Sequence, residues 1–577
     1  MRDKLPRVNQ AAINPVEAAE SLGFCTLLFL VSLKLADVSD PLECDHSSMR
    51  PPCDEAIIRS GSVRVPCGDQ ARPWILAATI LGSSMAFIDS TVVNVALPAL
   101  QASFRATVVD VQWVVESYGL FLGALILVGG SLGDLFGRRL MFVVGVIIFA
   151  VASICCGAAS NLHQLIIARS VQGVGAALLV PGSLAIISSS FDETSRGRAI
   201  GTWSGFTAIT AAIGPVLGGW LVEQASWRWA FFINLPLAAA VISISLWRIP
   251  ESRSVAVARV DWLGAMVVTL GLGGLVNGFI ESVNLGWRHP LVFGSLIVGF
   301  GCLIAFVFVE AGGASPMVPL TLFASRSFTG ANLLTFFLYA AIGIFFFLFP
   351  LNLIQVQAYS ATAAGAAILP LILLIFLLSR WSGGLVARYG AKVPLLIGPL
   401  IVAFGFVLFA LPSVGDSYWR AFFVAIVVLG LGMAITVAPL TTVVMNSVDQ
   451  GRIGAASGIN NAVARIAGVL AVAVLGIVMV NAFGARLDSK LASFSLPPST
   501  LHDIRADEIK LAGLRLPPSL NPSTGTAIRE SIREAFVFGF RLIMLICAGL
   551  SAASAAAAWL LIPAKQRSTP VTNLLRR

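Results

Sequence analysis

The chain has 577 residues, 57% of them hydrophobic and 12% charged, with a mean hydropathy of +0.88. A soluble chain carries roughly a quarter charged residues, so this much apolar surface cannot be hidden in a water-soluble core, and the class that remains is a polytopic membrane protein. The net charge of +9 is scattered singly or in pairs between apolar runs, with no basic stripe alternating with aromatics, which argues against a nucleic-acid partner and marks cytoplasmic loops instead.

In chain order, residues 1–73 come first. Their apolar stretch, 22–33, is too short for a comfortable span, and the acids Glu17 and Glu20 make it a poor signal peptide. Cys44, Cys53 and Cys67 follow. The segment reads as an N-terminal extension, disordered or upstream of a true start at Met49, with a fifteenth helix as the third reading.

Fourteen apolar runs of membrane-spanning length follow: 74–98, 113–132, 140–160, 164–188, 199–222, 229–248, 262–281, 291–310, 328–351, 361–379, 393–412, 420–444, 455–480 and 536–562. They must be helices, because lipid offers no partner to an exposed backbone amide. With the start cytoplasmic, the inner loops hold Arg138, Arg139, Arg196, Arg198, Arg248, Arg253, Arg259, Arg326, Arg380, Arg388, Lys392 and Arg452, and the short outer loops only Arg105, Arg228, Arg288 and Arg420. That imbalance places both termini in the cytoplasm. The basic tail 563–577 (Lys565, Arg567, Arg576, Arg577) falls on the same side. Residues 481–535, with two Pro-Pro pairs, read as a long outer connection.

The inner turn after the second span, "GSLGDLFGRR" (Gly130 to Arg139), has a weak copy in "GGLVARYGAK" (Gly383 to Lys392). Gly130 aligns with Gly383, Leu132 with Leu385, Gly137 with Gly390 and Arg139 with Lys392, while Asp134 is replaced by Ala387. Each copy follows the second span of a six-span block. The chain therefore divides into a six-helix bundle over 74–248, two inserted helices over 249–327, and a second six-helix bundle over 328–562. Two similar halves around a mid-depth site is a common transporter plan.

Four motifs in order, "IDSTVVNVALP" from Ile88, "GSLGDLFGRR", "RSVQGVGAA" from Arg169 and "GPVLGG" from Gly214, resemble those of the major facilitator superfamily, in particular its fourteen-span drug:proton antiporter group. The resemblance covers 74–562, with Leu135 standing where the family often has a basic residue. It implies an all-α fold of two pseudo-symmetric six-helix bundles plus two inserted helices. It also implies export of hydrophobic or cationic compounds by alternating access in the cytoplasmic membrane. Gly130, Asp134, Gly137, Arg138 and Arg139 would form a latch for the outward-open state. Gly214, Pro215, Gly218 and Gly219 would form a tight outer seam that limits leak.

Charges inside spans are costly in lipid and are functional candidates by default. Asp89 is the first choice for a proton carrier, Glu116 for a second carrier or cation contact, and Arg169 would tune them; all three fall in the outer part of the first bundle. Competition of proton and substrate for one carboxylate is the simplest antiport chemistry. A structural hydrogen bond is the alternative for Asp89, and the outer interface for Glu116. Asn94, Asn332, Asn460 and Asn461 are candidate cavity residues, although interhelical bonding is the commoner use of such amides. In the second half the polar span residues are mainly uncharged, with Arg465 in the thirteenth span an exception. Phe345, Phe346 and Phe347 would line a pocket or face lipid, and Glu281 and Glu310 would be solvated at span ends.

The sequence has no Gly-x-x-x-x-Gly-Lys-Ser/Thr phosphate loop, no CxxC pair and no metal-ligand spacing. No cofactor beyond a proton gradient and no enzyme activity are expected. Lipid is the expected environment, and an adaptor protein only if the cell has two membranes. The alternative function is ion-coupled carriage of a metabolite or lipid on the same scaffold; a membrane enzyme or sensor without transport is third.

Overall fold

In the computed structural model, the described residues are 71–563 apart from 192, 254–259, 314–315, 449–452, 495, 515 and 517–520. The N-terminal extension with its cysteines, most of the basic tail, Arg259 and Arg452 lie outside the described residues. Among the described residues, fourteen long helices form the bundle. The first half comprises α1 (Arg72–Phe104), α2 (Val108–Phe136), α3 (Arg138–Ala158), α4 (Leu162–Ser190), α5 (Glu193–Gln224) and α6 (Trp229–Arg248). The inserted pair is α7 (Trp262–Leu285) and α8 (Pro290–Gly312). The second half comprises α9 (Arg326–Leu351, ending in a π-turn Asn352–Val356), α10 (Ala361–Ala366 and Leu369–Tyr389), α11 (Lys392–Phe409), α12 (Phe423–Asn446), α13 (Ile453–Leu491) and α14 (Pro522–Leu561).

Thirteen of the fourteen are apolar and long enough to cross a bilayer on composition alone. The exception is α5, whose glycines, threonines and serines dilute its hydropathy over 32 residues. Exposed tryptophans ring both ends: Trp247, Trp262 and Trp559 at one, Trp220, Trp229, Trp287 and Trp419 at the other. Such belts match the two faces of a membrane. We call the end carrying Arg138, Arg139, Arg388 and Lys392 the basic end and the opposite one the far end.

Local chemistry sets the helix boundaries. Thr107 and Asp110 form a reciprocal capping box that starts α2. Gly137 ends α2 with φ +125° and Gly390 ends α10 with φ +75°. These are the aligned glycines of the two turn copies, and both need the region of backbone space that side chains avoid.

One packed core lies in the first half, and a larger one fills the second half and reaches into the first. That of the first half centres on Met85, Phe142, Phe149 and Val241. In the second, Phe345 stacks on Phe349 at 4.9 Å and contacts Phe406 and Phe409. Phe345 and Phe347 are thus buried core residues, not lipid-facing, and the helix turns Phe345 onto α11. The α7–α8 pair packs on α2 and α13, and α8 turns Phe293, Ile297, Ile304 and Phe308 outward. Glu310 is also placed differently from expectation. It is buried and accepts the Val318 N–H at 2.9 Å, because the chain folds back over the end of α8. Glu281 is half-buried and accepts the Trp113 indole N–H at 2.9 Å.

The connection expected over 481–535 is shorter, since α13 runs to Leu491 and α14 starts at Pro522. Helices can continue into water where hydropathy has already fallen. Between them, a helix Pro498–Ala506 and a turn Glu508–Gly513 lie over the far end and touch α1, α2, α13 and α14.

Candidate functional site

A polar cluster is buried within the first half. Asp89 on α1 is fully buried, as is Arg169 on α4, and the two form an ion pair. The other Asp89 oxygen accepts from the Gln172 amide at 2.8 Å and from the Asn234 amide at 3.2 Å. Arg169 also donates to Gln172 Oε1 at 2.7 Å and to the Val114 carbonyl at 3.1 Å. Ser153 on α3 ties Gln172 and Asn234 together. The guanidinium lies 4.3 Å above the Tyr118 ring, a cation–π contact that helps hold a charge away from water. Five helices thus converge on one carboxylate, α1 carrying it and α2, α3, α4 and α6 surrounding it. A bare charge here would be prohibitively costly; paired and multiply hydrogen-bonded, it is tolerated.

Glu116 does not join this cluster. It lies on the face of α2 shared by Gln112, Gly119 and Gly123, which meets α13 through Val472, Val469 and Ile466. It is 1% exposed, and its Oε2 has no hydrogen-bond partner. The carboxyl is therefore sealed near the contact between halves rather than reaching an interface with water.

The glycines of "GPVLGG" have divided duties. A Cβ on Gly218 would meet Val92 Cα at 2.9 Å, and one on Gly214 would meet Ile88 Cα at 3.5 Å, so both let α5 lie against α1 inside the first half. Gly219 faces the other half, where a Cβ would meet Thr362 Cα at 2.6 Å. A Cβ on the opposing Gly365 would meet Val216 N at 2.9 Å, beside the Pro215 carbonyl. Backbone lies against backbone, as small residues permit. Hydrogen bonds between the halves cluster at this far end: Glu223 accepts from Thr362, and Gln355 donates to Gln101 at 2.8 Å. The larger apolar core also crosses here, taking in Leu97, Leu100 and Val108 of the first half.

At the basic end, Arg138 donates to Asp134 at 2.7 and 2.9 Å and to the Ala185 carbonyl at 3.4 Å. Glu251 accepts the Arg139 and Leu140 amides at 3.0 and 3.1 Å, capping α3. It also crowds Gly137, where a Cβ would lie 2.7 Å from its carboxylate. Gly130 packs beside Pro181. These partners all belong to the first half or the linker that leaves it.

Asn460 donates to Asn332 Oδ1 at 3.2 Å and to Thr335 Oγ1 at 2.7 Å, and Asn332 donates to the Phe328 carbonyl, so this pair bonds α9 to α13. Asn461 is exposed and donates to the Ser457 carbonyl. Asn94 is half-buried with Oδ1 unpartnered. Sequence reasoning missed Gln172, Asn234, Ser153, Tyr118 and Glu251. Gln172 stands one turn after Arg169 in the same motif and could have been found; the others carry no local signal.

A family model described as Major Facilitator Superfamily matches residues 79–472. The chain is 34% identical over 499 residues to Multidrug resistance protein Stp of Mycobacterium tuberculosis, spanning 85% of this chain and 91% of that protein. It is 30% identical to the Tetracenomycin C resistance and export protein of Streptomyces glaucescens, over 86% of this chain and 94% of that one. Among solved structures, a bacterial homologue of the human lysosomal transporter Spinster, crystallised inward-facing and unoccupied, superposes with a TM-score of 0.57 at 17% identity, over 85% and 98% of the two chains. By fold, motif order and relatives, the chain is a multi-pass membrane transporter, not an enzyme, and belongs to the Major Facilitator Superfamily.

Proposed function

We propose that this chain is a proton-coupled exporter of hydrophobic and amphipathic compounds, antibiotics and other drugs among them. In this reading it works by alternating access in the cytoplasmic membrane, with the basic end and both termini in the cytoplasm. Relatives that resemble it over most of their length carry names of drug resistance and export. The observation that carries proton coupling is the sealed Asp89–Arg169–Gln172–Asn234 cluster. Both Asp89 oxygens already accept donors, so a proton arriving on Oδ2 displaces Arg169. A guanidinium released from its anion must move or find another, and that links proton uptake to helix rearrangement. Glu116, buried and unpartnered at the junction of the halves, is a second proton-carrying group that a sliding α13 would expose.

The far-end seam at Gly219 and Gly365 corresponds to a state shut toward the outside. Closing the basic end would bring Asp134 and Arg138 toward the second half, where the latch acts. Purified protein in proteoliposomes tests the coupling. Adding a transported drug should release protons from the wild type, and Asp89→Asn should abolish gradient-driven export while the protein stays folded. Wild-type export without proton movement would overturn the proposal.

A further inference from the structure

Arg465 lies twelve residues into α13, about 18 Å along its axis. It belongs to the face that meets α2, where a Cβ on Gly123 would stand 3.6 Å from Arg465 Cβ. From there the guanidinium crosses between the halves, 5.9 Å from the Phe87 ring centroid on α1. Tyr118 on α2 and Tyr339 on α9 act on it electrostatically. Asp89 is held by Arg169, and Glu116 sits two turns of α2 away from Gly123, toward the far end. No hydrogen bond or ion pair among the described residues reaches the Arg465 side chain, and it is partly exposed although it stands at mid-depth.

A guanidinium at the middle of a membrane bundle without an anion is an expensive feature. Its five N–H donors form a planar fork suited to a carboxylate or phenolate, and its plane also stacks on rings. Phe87 offers it an aromatic ring, and Tyr118 and Tyr339 lie close enough to act on it electrostatically. The junction between halves is where a transporter of this architecture holds its cargo. We infer that Arg465 is the anion-recognising residue of the path and that the preferred cargo is an aromatic acid, a flat hydrophobic molecule carrying a carboxylate or acidic phenol. This rests on the exporter reading but not on proton coupling. It narrows the sequence expectation, which included cationic compounds.

Binding to full-length protein in nanodiscs, with no gradient, tests it. The probes are naphthalene-2-carboxylate, its neutral carboxamide and the cationic naphthalen-2-ylmethylammonium. A charge-assisted hydrogen bond supports a preference for the acid of about tenfold or more over the amide. Arg465→Gln should erase that preference, weakening acid binding more than amide binding, while Arg465→Lys retains part of it. Equal binding of acid and amide, preference for the cation, binding of none of the three, or an acid preference that survives Arg465→Gln would each overturn the inference. If the glutamine variant does not fold, the wild-type ranking of the three probes decides alone. Proton release during export is a separate measurement, so loss of coupling with intact acid preference would remove the antiport reading and spare this one.

Discussion

Gly219→Ala is the sharpest single perturbation of the far-end seam. The added methyl would meet Thr362 Cα at 2.6 Å, and backbone cannot swing aside as a side-chain tip can. Overpacking of one methyl typically costs about 1–3 kcal/mol. Here the strain exists only when α5 and α10 are in contact, so it falls on the closed far end and not on the open one. Converted to populations, it shifts the closed-to-open ratio by a factor of about 5 to 150. Spin labels at Ser160→Cys and Ser417→Cys, both exposed at the far end of opposite halves, report the separation in a background without native cysteines. The double electron–electron resonance distribution should gain a longer component in Gly219→Ala. Gly218→Ala is the control, because its methyl meets Val92 of the same half and should lower stability without lengthening the distance. A distribution unchanged in Gly219→Ala, or lengthened equally in Gly218→Ala, would refute the division of roles between these neighbours.

Gln172→Leu should weaken export more than a loss of one hydrogen bond suggests, since the amide contacts Asp89, Arg169 and Ser153 together; export should fall at least tenfold with membrane content unchanged. Phe345→Ala should destabilise the second half by about 3–5 kcal/mol, read as a lowered midpoint for loss of second-half helix on heating, with no change in proton coupling of the surviving protein. Burial first, and the nearby Asp488 second, hold the Glu508 carboxyl above its usual range, with Arg505 opposing. A raised carboxyl favours the docked turn when protonated, so docking is fullest in acid and weakens as pH rises through the raised value. Hydrogen exchange of 504–514, corrected for intrinsic rate, should show more protection at pH 5 than at pH 7.5, and Glu508→Gln should remove the difference.

The spans, their order and the two-half plan were legible in the sequence because each is a local property. A bilayer demands an unbroken apolar run, and a turn copied between halves, with Gly137 and Gly390 both at positive φ, survives as a pattern of letters. Asp89, Arg169, Glu116 and Arg465 stood out for the same reason, being charges where charge is costly. What each of them faces was not legible. Gly218 and Gly219 are neighbours in the chain, yet one successive step of about 100° around the helix turns the first onto its own half and the second onto the other. Asp89 found Gln172 and Asn234, residues 83 and 145 positions away, while Glu116 found no donor and Phe345 found a core. Residue type and spacing say which groups must be satisfied inside a membrane; only the packing of helices distant in the chain decides which neighbour satisfies them.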